Sequence, residues 1–428
     1  MDTQPRRYEW RSIVLLIYSL ASAFVILGAS AGLLVAFLLN RRTLGVPPPL
    51  PSILGATTLT AIGLLLLPAG VLSWQRLNGR KFEPFQLPRL SAWEWVAFPL
   101  LWIVMLVLAT LLYDAPGGAW YLPFVHFLAV MIPVYLLVRV AIHTIPLGSI
   151  QRVWAVFGSG YSLSLLLAII LEGLMVVLGI VVLAVLIGYN PERLAEMQRL
   201  VARIEAARNV EALVYILEPL LRSPLTLLVA LGFLSVFVPI VEELAKSIGV
   251  WLVADRLRSP AQGFALGLLS GAGFALAEGL TATLTPDSTW ALSFLTRGVS
   301  SCMHMLSTGL VGMGIASLRL ERNLFKMAFL TCLAILLHAT WNAGAVLMVA
   351  GVLRIALEFP QVSLTGMFMG IAGIALLFAL GSGMLVSLVL LNLRPGKTSF
   401  SAEPGLQSRS ADQLEYQHDD SASGSRLE

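Results

Sequence analysis

Long apolar segments separated by short polar ones dominate the pattern of the 428-residue chain. Ten of these segments are long enough to cross a bilayer as helices when read with a window of about 19 residues. They lack the alternation that is typical of barrel strands, so the sequence predicts an all-α, multi-pass transmembrane helical bundle. The predicted spans are residues 13–39, 51–74, 93–112, 121–143, 161–187, 224–254, 261–283, 291–318, 326–351 and 362–392.

The composition agrees with a protein that lies mostly in the lipid bilayer. Hydrophobic residues make up 57% of the chain and charged residues 12%, against roughly 25% charged in a soluble domain. The net charge is +4, but the basic residues stand singly between apolar segments, so we expect no nucleic-acid partner. The two cysteines, Cys302 and Cys332, lie inside apolar segments, which excludes a disulfide framework of the secreted type.

The lysines and arginines of the short loops predict the orientation of the bundle, because cytoplasmic loops carry an excess of them. With the amino terminus inside and ten spans, the short outside loops hold only Arg41, Arg42 and Arg354. Both termini are therefore predicted to be cytoplasmic. The inside segments hold Arg6, Arg7, Arg11, Arg76, Arg80, Lys81, Arg89, Arg152, Arg256, Arg258, Arg319, Arg322, Lys326, Arg394 and Lys397.

The longest connection, residues 188–223, begins with Asn190 and Pro191, which are typical of a helix cap and first turn. Apolar residues follow at near-helical spacing, so we expect an amphipathic helix outside the membrane, as a surface connector or a substrate-docking element. The tail is polar without periodicity, which predicts disorder. The predicted organisation is N-terminal spans of unknown role at 1–120, further spans and the amphipathic helix at 121–223, a transmembrane core with the candidate site residues at 224–352, a last span at 353–392 and a cytoplasmic tail at 393–428.

Four successive spans carry ionisable residues at membrane depth, where an unpaired charge is costly and marks a functional site. Glu242 with Lys246, and His338 with Asn342, are spaced to share one helix face. A rise of about 1.5 Å per residue places five of them about 18 to 26 Å from the predicted cytoplasmic helix ends, in one layer: Glu242, His338, His304, Asn342 and Glu278. The candidate residues are Glu242, Glu243, Lys246, Glu278, Arg297, His304, His338 and Asn342.

Other polar residues in the spans are weaker candidates. Glu172 lies deep in the fifth span and could join the network or pair across helices. His126 and His143 lie near span ends, where interfacial histidines are common. Cys302 is two residues from His304 and therefore points to a different face of its helix, which argues against a Cys–His nucleophile.

Three carboxylates in a dry layer need a proton, a basic side chain or a metal ion among them. Two histidines with glutamates suit zinc with an open position for water. In a metal-free site, one glutamate acts as the base on water, while histidine and asparagine donate hydrogen bonds to the developing oxyanion. This arrangement gives the same charge balance. Both routes lead to hydrolysis. A proton- or cation-coupled transporter would also gather such residues at the midplane, although no inverted repeat is evident, and an inactive receptor-like scaffold is the third alternative.

The four motifs together resemble the PrsW family of intramembrane proteases, within the CAAX-protease and bacteriocin-processing superfamily. They are Glu242-Glu243-x-x-Lys246, Phe274-x-x-x-Glu278, His304 in the next span, and His338-x-x-x-Asn342. The resemblance implies an intramembrane endopeptidase of the prokaryotic cytoplasmic membrane. Its substrates would be membrane proteins or membrane-associated peptides, as in regulated intramembrane proteolysis.

The resemblance also implies roles for the motif residues. Glu242 and Glu243 would activate water or bind metal, and Glu278 with His304 would complete the centre. His338 and Asn342 would bind metal or stabilise the oxyanion. Because the acidic layer leaves negative charge beyond what Lys246 and Arg297 neutralise, we expect one zinc ion. Its predicted ligands are His304, His338, Glu243 and Glu278.

The topology can be tested by labelling single cysteines from outside intact cells, after Cys302 and Cys332 have been replaced by serine. We expect a cysteine placed in the connection 188–223 to react with an impermeant maleimide, because that segment is predicted to lie outside. A cysteine placed in the tail should react only after the cells are opened. External labelling of the tail would contradict the predicted orientation.

Overall fold

The computed structural model describes residues 9–44, 50–143, 145–359 and 361–393. Over these ranges the chain folds into twelve helices, and β-structure is limited to one isolated bridge, Pro84 to Ser149. The helices are α1 (Glu9–Leu44), α2 (Leu50–Leu77), α3 (Glu94–Leu112), α4 (Gly118–Ile142), α5 (Ile150–Gly188), α6 (Pro191–Glu205), α7 (Val210–Leu221), α8 (Pro224–Trp251), α9 (Pro260–Ala282), α10 (Trp290–Glu321), α11 (Leu324–Glu358) and α12 (Leu364–Leu393).

Ten of these helices are long and apolar enough to cross a membrane. The all-α multi-pass prediction and the number of spans are therefore confirmed. Of the twelve described helices, only α6 and α7 are too polar or too short to cross a membrane. The predicted disordered tail lies outside the described residues, apart from residue 393, which ends α12.

Two predicted elements differ from the structure. The fifth helix begins at Ile150, eleven residues before the predicted span, because its first turns carry Gln151 and Arg152 and fall below the hydropathy of a span. The connection 188–223 forms two helices rather than one. The break follows Glu205, and a new helix starts where Asn209 accepts a hydrogen bond from the backbone N–H of Ala212 at 2.8 Å. The predicted cap at Asn190 is present.

Two helices contain a π-helical segment, in which the hydrogen-bonded turn holds one additional residue. In α5 this segment is Gly160–Ser164, and in α8 it is Phe233–Phe237. The second segment ends five residues before Glu242. The phase of Glu242 relative to the first turns of α8 is therefore shifted by a local departure from regular α-helix that hydropathy does not reveal.

Helix α9 is the centre of the bundle, and nearly all of its residues are buried. A stripe of glycines along this helix faces α10. A Cβ atom at Gly263, Gly267 or Gly271 would overlap a backbone carbonyl oxygen of α10. Backbones approach this closely in membranes through small residues, because lipid supplies no hydrophobic drive for helix association.

The opposite face of α9 packs against α5 in the same way. A Cβ atom at Gly160 would overlap the carbonyl oxygen of Ser270, and one at Gly273 would overlap that of Phe157. Helix α8 is joined to α9 by Ser270, whose hydroxyl donates to the carbonyl of Lys246 at 2.6 Å. Helix α9 is thus fixed by backbone contacts on two sides and by a buried hydrogen bond to α8.

We expect Gly271→Val to destabilise the fold, because the added side chain must push α9 away from the backbone of His304. Overpacking of this kind costs about 1–3 kcal/mol or more. The measurement is thermal unfolding of the purified protein in detergent. Gly173→Ala is the matched control, since a Cβ atom at Gly173 on α5 meets nothing within 4 Å. Equal stability of Gly271→Val and the wild type would contradict the proposed close packing.

Candidate active site

Six of the predicted site residues lie together inside the bundle, on four helices. Glu242, Glu243 and Lys246 come from α8, and the other three come one each from α9, α10 and α11. Glu243 and Lys246 are fully buried. The remaining members are Glu278, His304 and His338.

Among the carboxylates of this cluster, Glu243 accepts the most hydrogen bonds. Its Oε1 accepts hydrogen bonds from Lys246 Nζ at 2.8 Å and from His338 Nδ1 at 2.8 Å. Ser307 donates to the same oxygen at 3.0 Å, and Thr308 donates to Oε2 at 3.0 Å. Four donors thus compensate this buried carboxylate without a metal ion, and they tie α8 to α10 and α11.

The two hydroxyl donors to Glu243, Ser307 and Thr308, were not among the site residues predicted from the sequence. Their signal is spacing, since they follow His304 by three and four residues and so share its helix face. A hydroxyl in a membrane helix is most often bonded to its own backbone, and for that reason the pattern alone does not single these two residues out.

The ammonium of Lys246 supplies positive charge at the centre of the cluster. Its Nζ lies 2.9 Å from Glu242 Oε2, 2.8 Å from Glu243 Oε1 and 2.8 Å from His304 Nδ1. It also lies 4.5 Å from the centre of the Phe274 ring, a cation–π contact. The expected partner for the buried carboxylates is therefore present in α8 itself.

Each histidine has one ring nitrogen on a carboxylate. His304 Nε2 lies 2.7 Å from Glu278 Oε2, and His338 Nδ1 lies 2.8 Å from Glu243 Oε1. Since a carboxylate accepts, these nitrogens are the donors. The lone pairs are then on His304 Nδ1 and His338 Nε2.

Both lone-pair nitrogens face the same carboxylate oxygen. Glu242 Oε2 lies 3.8 Å from His304 Nδ1 and 3.7 Å from His338 Nε2. Although this oxygen is buried and close to Lys246, it accepts no hydrogen bond of good geometry. Two nitrogens and one oxygen thus converge around a single point without saturating one another.

This arrangement fits a metal ion. One donor atom each from Glu242, His304 and His338 lies within 4.8 Å of the other two. Histidine ligands usually donate their second ring nitrogen to a carboxylate, as both do here. Glu243 and Glu278, which the sequence placed among the ligands, occupy those second positions. Lys246 Nζ lies 2.8 Å from His304 Nδ1 and 2.9 Å from Glu242 Oε2, so a bound ion would displace the ammonium from both ligand atoms.

Glu278 forms the rim of the cluster. Its Oε1 accepts a hydrogen bond from Arg297 at 2.6 Å, and its side chain is 26% exposed. Glu243 and Lys246, in contrast, are wholly enclosed. The carboxylate of Glu278 is therefore the part of the cluster that molecules outside the bundle reach first.

Asn342 and Glu172 lie at the edge of this group. Asn342 Nδ2 donates to the carbonyl of Leu234, within the π-helical segment of α8, at 2.8 Å. Glu172 Oε1 is buried without a hydrogen-bond partner, one turn beyond Ala168, which packs against Phe274. Both residues belong to helices that border the cluster.

Two weaker sequence candidates lie apart from the cluster. His126 shares a hydrogen bond of 2.9 Å with Thr283 and stacks on Trp290. Cys302 is buried in the apolar core. Both positions are explained by packing.

Comparison with known protein families gives one match that covers the clustered helices. The family model described as PrsW family intramembrane metalloprotease matches residues 148–377, more than half of the chain. No curated protein and no solved structure matches. The match includes all of the clustered residues and supports peptide hydrolysis rather than the transport alternative. The chain therefore belongs to the PrsW family of intramembrane metalloproteases.

Proposed function

We propose that this protease holds one zinc ion with Glu242, His304 and His338 and cleaves membrane proteins inside the bilayer. The observation that carries the proposal is the convergence of Glu242 Oε2 and two histidine lone pairs. Nitrogen and carboxylate ligands suit zinc, and a site with three protein ligands leaves one position open. A divalent ion held there would act as a Lewis acid and make water nucleophilic at neutral pH.

The surrounding residues orient these ligands and compensate their charge. Glu243 fixes the ring of His338, and Glu278 fixes that of His304, by accepting their second N–H groups. Such carboxylates orient the ring and raise its basicity. Lys246 offsets the charge of Glu243 and Glu242, so the ligand set keeps its shape in a medium of low dielectric.

Hydrolysis adds water to the peptide carbonyl and breaks the C–N bond, and the proton lost by water must reach the departing amine. We assign that transfer to Glu278, the partly exposed carboxylate at the rim. Arg297 holds its other oxygen in place. The amide nitrogen of Asn342 uses one N–H for Leu234, and its second N–H is available for the developing oxyanion.

The depth of the cluster defines the class of substrate. A peptide bond reaches buried residues between membrane helices only if the segment lies in the bilayer and is locally extended, because helical hydrogen bonding shields the carbonyl carbon. We therefore assign single-span membrane proteins or membrane-associated peptides as substrates, in a prokaryotic cytoplasmic membrane. Release of a membrane-tethered signalling protein is the physiological role that we infer.

Replacing a proposed ligand should abolish cleavage. We expect Glu242→Gln and His338→Ala each to lower the turnover of a co-expressed library of epitope-tagged single-span proteins by at least about 100-fold. Glu278→Gln should cost at least about 100-fold, since it removes both the partner of a ligand and the group assigned to proton transfer. The measurement is the amount of cleaved fragment per folded protease.

Glu321→Gln is the matched control, because Glu321 pairs with Lys326 at the exposed end of α10, away from the cluster. Its turnover should equal that of the wild type. Wild-type turnover in Glu242→Gln or His338→Ala would exclude that residue from the chemistry.

Metal analysis tests the ligand set directly. We expect one zinc ion per chain in protein purified without chelator, and much less in Glu242→Gln and in His304→Ala, because each variant loses one of three ligands. Exhaustive chelation should stop cleavage, and added Zn²⁺ should restore it. Full activity at a metal content far below one ion per chain would overturn the zinc assignment. Glu242 would then be the base of a metal-free mechanism.

A further inference from the structure

A second group of charged residues lies at the opposite end of the bundle from the connection α6–α7. Five arginines from four parts of the chain meet where α1 begins, α2 ends, α5 begins and α8 connects to α9. We call them the arginine cluster. Its members are Arg11, Arg76, Arg152, Arg256 and Arg258.

Hydrogen bonds between neighbouring residues bring three of these helix ends together. The side-chain amide of Gln151 donates to the hydroxyls of Ser12 and Ser73, each at 3.1 Å. All three residues are buried. Arg11, Arg76 and Arg152 are one to three residues away from them along the chain, so the ends of α1, α2 and α5 carry their charges to the same place.

The connection between α8 and α9 completes the cluster. Arg11 pairs with Asp255 at 2.8 Å, and Arg152 donates to the backbone carbonyl of Arg256 at 3.3 Å. The hydrogen bond from Arg11 holds the pKa of the Asp255 carboxyl below its ordinary value. Asp255 is therefore an ionised carboxylate that is already engaged by one arginine.

Arg152 is surrounded by more positive than negative charge. Its guanidinium packs over Gly148, and its Nε is buried without a hydrogen-bond partner. Arg76, Arg256 and Arg258 all repel it electrostatically, and Asp255 offsets only part of that repulsion. A partly buried cation among like charges is unfavourable unless an anion compensates it.

The surroundings indicate where such an anion would come from. Trp10, Trp74 and Trp251 are 59%, 57% and 44% exposed on the helix ends that carry the cluster. Exposed tryptophans of membrane proteins gather at the level of the lipid headgroups. Basic clusters at that level bind anionic lipids.

We propose that the arginine cluster binds the phosphate of an anionic phospholipid, with Arg152 as its central donor. The guanidinium offers planar, charge-assisted hydrogen bonds that match phosphate oxygens. A lipid bound there would hold together α1, α2, α5 and the connection that leads out of α8. It thereby supports the two helices, α8 and α9, that carry four of the six clustered site residues.

Thermal unfolding of the purified full-length protein in a non-ionic detergent tests this site. We expect dihexanoyl-phosphatidylglycerol to raise the midpoint by about 3 °C or more at saturation. Dihexanoyl-phosphatidylcholine, which carries the same phosphate with a cationic choline, should raise it much less. Inorganic phosphate at equal concentration should also raise it less, because it lacks acyl chains that contact the tryptophans.

Two variants make the test specific. Arg152→Gln should lose the response to phosphatidylglycerol, and Arg258→Gln, an exposed position, should weaken it without altering the core. Arg193→Gln on the exposed helix α6 is the matched control and should respond like the wild type.

Each alternative outcome overturns the proposal. An equal response to both lipids would mean that the acyl chains alone act. An equal response to inorganic phosphate would assign the cluster to a free anion. An unchanged response in both Arg152→Gln and Arg258→Gln would place lipid binding elsewhere.

Discussion

The contact between Lys246 and Glu243 is the interaction on which the catalytic region depends. Both side chains are fully buried, and breaking such a pair by removing one partner typically costs about 3–5 kcal/mol. Glu243 connects this lysine to His338, Ser307 and Thr308, so three helices share one buried charge pair. The pair stabilises the acidic cluster at membrane depth. The three proposed metal ligands lie beside it.

Close backbone packing of α9 gives the same region its rigidity. Gly271 lies against the backbone of His304, while Gly160 of α5 lies against Ser270 of α9. These contacts set the distance between helices to within the size of one methyl group. The spacing of less than 4 Å between Glu242 and the histidine nitrogens therefore rests on residues that have no side chain.

Much of this structure could be predicted from sequence, because hydropathy and spacing act along one helix at a time. The ten spans and the shared faces of the motif residues follow from period and composition. The choice of Glu242 over Glu243 as the carboxylate facing the histidine lone pairs does not. Adjacent residues differ by about 100° around the helix axis, and the rotation that decides between them comes from the packing of α8 against α10 and α11. The two-helix connection was also missed, since its break depends on a single capping residue, Asn209.

The π-helical segment Phe233–Phe237 has a consequence for how this site can change in evolution. Deleting one residue would make that turn regular, and it would rotate the amino-terminal part of α8 by about 100° relative to Glu242 and Lys246. The carbonyl of Leu234 would then no longer meet Asn342. Substitutions in this turn preserve the phase of the helix, whereas a one-residue deletion does not. Chain length, rather than residue identity, is thus the quantity under constraint in the membrane segment that precedes the two adjacent glutamates.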